Sequence, residues 1–111
     1  MPTVSVGALH RRNFDAQSYE SVTVDATAGG VTLTAGTYST RRYALISVET
    51  ATVRFTVDGT APVAGGPGHL CQIGDIIELD SNEDITAFRA IRETATSGTI
   101  RATYSELKLT S

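Results

Sequence analysis

Between residues 53 and 57 the chain alternates without exception: Val53, Phe55 and Val57 are apolar, Arg54 and Thr56 are not. A two-residue period puts the three apolar side chains on one face of a strand and the polar pair on the other. Asp58-Gly59-Thr60 then turns the chain, because Gly accepts positive φ and Asp bonds back to the nearby backbone. Comparable segments recur: Val22 and Val24 between Thr23 and Asp25, Val31 and Leu33 between Thr32 and Thr34, and Ile100, Ala102 and Tyr104 between Arg101 and Thr103. No segment sustains apolar residues at i, i+3, i+4 and i+7 over three turns. Seventeen threonines, with many Val and Ile, reinforce the strand reading, since β-branched side chains pack on a pleated surface at little rotamer cost.

Turns divide these runs at short intervals. Ala28-Gly29-Gly30 predicts a hairpin between Val22–Val24 and Val31–Leu33, and Ala35-Gly36-Thr37 a second turn. Tyr43 to Val48 reads as a strand buried on much of both faces. His69 to Ile73 and Asp75 to Leu79 flank a bend at Gly74, and Asp80 to Asp84 caps a single helical turn over Glu83 to Ala87. Phe88 to Glu93 and Thr99 to Glu106 flank a turn at Thr96-Ser97-Gly98. The irregular loop 61–68 holds two prolines and three of the glycines at positions that exclude a helix or central strand. The expected fold is therefore an all-β, single-domain antiparallel sandwich or jelly roll of about eight short strands. At 111 residues there is room for one core. Residues 1–18 lack alternation and read as an extended arm, with residues 19–111 forming the sandwich.

Charge and composition narrow the function classes. A net charge of -3 argues against generic nucleic-acid binding, which draws affinity from an excess of Lys and Arg. No run approaches the ~20 apolar residues that span a bilayer, and the first residues lack an export-signal pattern, so no membrane partner is expected. Cys71 is the single cysteine, which excludes an internal disulfide and a thiolate-built zinc site.

The sequence displays no converging chemistry. His10 has no metal-type neighbour at i+2 or i+4, and His69 shares a strand face with Cys71 at i+2 without a motif that marks a metal site or a reactive pair. The acidic residues Asp75, Glu78, Asp80, Glu83 and Asp84 do not match a calcium loop, and Gly65-Gly66-Pro67-Gly68 lacks the following Lys and helix of a phosphate loop. No catalytic residue, cofactor or metal is expected. The candidate contacts are instead with protein: the doublets Arg11-Arg12 and Arg41-Arg42, together with Phe14 in the arm.

From Ala44 to Tyr104 the chain resembles small structural proteins of tailed bacteriophages and prophages. The likeness runs through Val53-Arg54-Phe55-Thr56-Val57-Asp58-Gly59-Thr60-Ala61-Pro62, Gly68-His69-Leu70, Gly74-Asp75-Ile76-Ile77-Glu78-Leu79, Phe88-Arg89-Ala90-Ile91 and Ser97-Gly98-Thr99-Ile100-Arg101-Ala102-Thr103-Tyr104. The resemblance implies a non-enzymatic β-sandwich of the virion, as in capsid decoration (cement) proteins. The expected partners are further copies of the chain, with a trimer as the anticipated form, and the major capsid protein or other virion proteins. A head-to-tail connector or tail component is the alternative in the same setting, and a carbohydrate- or cell-surface-binding module using Tyr38 or Tyr43 is the alternative from another class. An all-β body with an arm and Thr/Arg-rich faces suits contact by strand addition and flat packing.

Overall fold

A computed structural model describes residues 14–107, with side chains from 16 to 106. Its elements follow in the order β1 (Phe14–Val24), β2 (Val31–Thr32), α1 (Ala35–Tyr38), β3 (Tyr43–Glu49), β4 (Val53–Thr56), β5 (His69–Cys71), β6 (Ile76–Leu79), α2 (Asn82–Ala87), β7 (Arg89–Arg92) and β8 (Gly98–Leu107). The strands form two antiparallel four-stranded sheets, ordered β1-β8-β3-β6 and β2-β7-β4-β5. Only β4 and β5 are both consecutive in the chain and paired; every other step crosses from one sheet to the other. This interleaving is the eight-stranded jelly roll.

The local hairpins read from the turns do not form. β1 pairs with β8, from Phe14 opposite Leu107 to Val24 opposite Gly98, while β2 pairs with β7 in the other sheet. Likewise β5 and β6 part at Gly74 into different sheets, and so do β7 and β8. The physical reason is that alternation encodes which face of a strand is buried and not which strand lies beside it.

Nor do all of residues 1–18 form an arm. Residues 14–18 are the opening of β1, held by the register with β8. They lack a two-residue period because the register shifts between Ala16 and Ser18, and a bulge of this kind throws alternation out of phase. The rest of the arm, residues 1–13, lies outside the described residues.

Between the sheets the core gathers Val24, Ile46, Val48, Val53, Ile85, Phe88, Ile100 and Tyr104, all essentially inaccessible. Val53 sits at its centre, whereas Phe55 and Val57 are partly buried against its margin. Phe88 stacks on Phe55 with ring centroids 5.6 Å apart. The polar run from Asp80 becomes a capped helix: Ser81 Oγ accepts from the Asp84 amide at 3.1 Å, and Ile85 drops into the core. Asn82 Nδ2 then donates to the carbonyls of Ser39 (2.8 Å) and Arg41 (2.7 Å), tying α2 to the segment before β3.

The connection 57–68 is far from loose. It folds back on the outer face of the second sheet, where Pro62 is fully buried and Thr56, on the outward side of β4, is left 6% exposed. Arg54 donates Nε and Nη2 to the two carboxylate oxygens of Glu93 at 2.9 and 3.1 Å, and Nη1 to the Gly68 carbonyl at 3.0 Å. Glu93 Oε1 also accepts from the Gly65 amide at 3.1 Å. One fork therefore clasps both ends of the 65–68 segment.

Those hydrogen bonds, first from Arg54 and then from Gly65, hold the Glu93 carboxyl down at about 2 against an ordinary 4.5. A depressed carboxylate stabilises the fold fully above its unfolded pKa and loses that contribution as pH falls from 4.5 towards 2. Glu93→Gln should therefore speed protease cleavage within 61–67 on the order of tenfold at pH 7. Its deficit in melting temperature should shrink towards zero at pH 2, and a deficit independent of pH would contradict the clasp.

Candidate functional site

The four basic residues expected to touch partners do not share one fate. Arg11 and Arg12 lie outside the described residues. Arg41 is engaged within the chain, its Nη1 3.3 Å from Glu106 Oε1. Arg42, next along, is exposed, with its amide donating to the Ser105 carbonyl at 3.0 Å and its side chain in no ion pair among the described residues. Phe14 opens β1 opposite Leu107. The doublet at 41 and 42 thus splits into a structural member and an available one, which sequence alone does not separate.

At the mouth of the β4–β5 connection lies a cleft of about 240 Å³, lined by Thr56, Val57, Asp58, Thr60, Gly68 and His69. The tight turn that follows β4 builds one wall: Asp58 Oδ1 accepts from the Thr60 amide at 3.0 Å, and the Thr56 hydroxyl donates to the Thr60 carbonyl. The Thr60 amide, then its hydroxyl, and last the charge of His69 hold the Asp58 carboxyl below its ordinary range. His69 forms the facing wall, its ring 5.5 Å from that of Phe55. Gly68 allows this approach: its φ is +122°, and a Cβ there would sit 2.7 Å from Arg54 Cγ and 3.1 Å from the Phe55 carbonyl. Sequence reading treated Asp58 as a turn residue and His69 as isolated; only the pairing of β4 with β5 brings them together.

A different surface covers the outer face of the first sheet. Tyr19 is 54% exposed, and its hydroxyl accepts from Arg101 Nη1 at 2.8 Å. Arg101 Nε donates to Glu49 at 2.8 Å, and Thr50 bonds Thr99 at 3.1 Å. Exposed pairs of this kind contribute only about 0–1 kcal/mol, so the face is a polar, hydroxyl-bearing surface more than a source of stability. The sheet edges are less inviting: β2, β5 and β6 run two, three and four residues, and the long edge strand β1 carries the bulge. Short or bulged edges discourage strand addition, which leaves flat packing as the mode that this geometry favours.

Other candidates resolve into structure. Cys71 is buried on β5, and burial, followed by the charge of Asp75, pushes its thiol up to about 11, so it is protonated at neutral pH. Tyr38 is 8% exposed and Tyr43 0%, so neither offers a ring for sugar stacking. Asp75 Oδ2 accepts from the Gln72 amide at 2.8 Å, shaping the β5–β6 turn. Among the described residues no three His, Cys, Asp or Glu side chains gather as a metal site, and no helix is long and apolar enough to cross a membrane. Sequence reading missed Glu20, which accepts from the Tyr104 hydroxyl and from the Thr34 amide (3.0 Å), joining β1 and β8 to the segment before α1.

Comparison with protein-family models, curated proteins and solved structures finds no match.

Proposed function

We propose that this chain is a structural protein of a bacteriophage virion, a decoration protein that binds the outer capsid as a homo-oligomer and clamps neighbouring capsid subunits. The observation that carries the reading is the jelly roll itself, with an apolar interior and a polar, hydroxyl-bearing outer face on one four-stranded sheet. Eight-stranded jelly rolls recur in viral capsid and lectin domains, a fold-level analogy that raises this reading without assigning a site. The segments that resemble phage structural proteins now fall on β4 through β8, the larger part of the sandwich.

The mechanism is mechanical. The sandwich supplies a rigid body, the outer face of β1-β8-β3-β6 and the cleft supply contacts, and the arm docks on an adjacent subunit. A domain of this size buries only ~60–70% of its unfolded surface, so assembly on a lattice adds burial that the isolated chain lacks. Such a protein is made in the host cytoplasm and ends in the particle.

Binding to particles lacking the protein tests this. The full chain is expected to cosediment with them to a saturable level, and deletion of residues 1–13 is expected to weaken that binding about tenfold or more. Unchanged binding by the deletion would remove the arm from the mechanism. Failure of the full chain to bind any such particle would remove the function.

A further inference from the structure

The cleft at Asp58 and His69 has a definite chemical preference. No Lys or Arg lines it, and Asp58 supplies its one carboxylate. An ionised carboxylate has about four acceptor sites, more than the Thr60 contacts fill. A planar guanidinium meets such a wall well, since it donates to the carboxylate while stacking on the His69 ring that lines the cleft.

The chain itself carries a matching cation. Of the six arginines among the described residues, four have intramolecular acceptors: Arg41 on Glu106, Arg54 on Glu93, Arg89 on the Gly29 carbonyl and Arg101 on Glu49. Arg92 is half-buried, with its charge acting on Asp25. Arg42 remains, exposed and with no side-chain acceptor among the described residues.

Position favours the pairing as well. Residues 50–52 are all that separates β3 from β4, and the chain reverses there as it changes sheet, with Thr50 at φ +74° and the Ala51 amide donating to the Glu49 carbonyl. The start of β3, where Arg42 stands, and the finish of β4, where the cleft begins, therefore occupy the same end of the sandwich. Two copies meeting at that end can each present an arginine to the other's cleft, as a self-complementary contact requires, and a cyclic arrangement uses one such contact per interface.

We infer that the Asp58–His69 cleft receives the guanidinium of Arg42 from a second copy of the chain. This rests on the reading that the protein self-associates, and it names the contact through which it does so.

Charge exchange tests it by sedimentation equilibrium of the full chain, with circular dichroism melts to verify folding. Arg42→Glu and Asp58→Lys should each raise the dissociation constant of the assembly about tenfold or more, and the double variant should restore it to within about threefold of wild type. Asp58→Asn, which keeps a side-chain acceptor for the Thr60 amide, should weaken assembly in the same direction and serves if the lysine variant misfolds. Single variants that assemble like wild type, a double variant no better than the worse single, or a wild-type chain that stays monomeric at roughly 100 μM would each overturn the contact. Assembly that follows the charge exchange in a chain that never binds particles would keep the contact and discard the virion role.

Discussion

Truncating Phe88 to alanine is expected to cost about 3–5 kcal/mol, among the largest effects of any single side chain in the sandwich. Phe88 is wholly buried at the junction where α2 ends and β7 begins, and its ring stacks on Phe55 at 5.6 Å. Removing it empties the space between that helix and the second sheet, and the jelly-roll connections on either side limit how far the gap closes. At about 4–8 °C per kcal/mol for a domain near this size, the melting temperature should fall by roughly 15 °C or more. Val57→Ala, at the margin of the core, should lose only a few degrees. Similar losses for the two variants in a thermal melt would show that Phe88 is not the anchor.

Gly98→Ala should also be damaging, through overpacking and not through a lost contact. A Cβ at Gly98 would lie 2.5 Å from Val53 Cγ1 and 2.9 Å from the Ala51 carbonyl oxygen. The valine methyl can shift, but the carbonyl belongs to the tight β3–β4 connection and has little freedom. A cost of about 1–3 kcal/mol follows, as for other overpacked sites. Gly36 provides the control, since nothing lies within 4 Å of its position and it sits inside α1. Gly36→Ala should be neutral or stabilising by up to about 1 kcal/mol. Denaturant midpoints for the pair decide the matter: two variants of equal stability would mean that β8 does not pass this close to the turn.

These two sites show what a sequence can and cannot carry. The inward faces of β4 and β8 were legible because alternation is a local property, whereas β3, expected to be buried on much of both faces, buries chiefly the side of Ala44, Ile46 and Val48; the capped turn after Asp80 was legible because cap and partner, Ser81 and Asp84, stand three residues apart. Strand partners were not: β1 finds β8 some eighty residues later, and the same alternation would suit any neighbour in either sheet. The bulge at Ala16/Ser18 hid the opening of β1 by breaking the only local signal a strand gives. The clasp from Arg54 to Glu93 spans 39 positions, so no spacing rule points to it. Arg41 and Arg42 looked alike until β3 and β8 fixed which of them meets Glu106. The candidate site was least visible of all, because Asp58 and His69 become neighbours only through the pairing of β4 with β5.

Quantitative mass spectrometry of purified particles, counting this chain against the major capsid protein, reaches the centre of the proposal in one step. A lattice-bound decoration protein should be present at a fixed ratio to the capsid subunit, roughly hundreds of copies per particle. Roughly six to twelve copies would place it instead in a closed ring at the neck or tail, and its absence from washed particles would refute a virion role altogether.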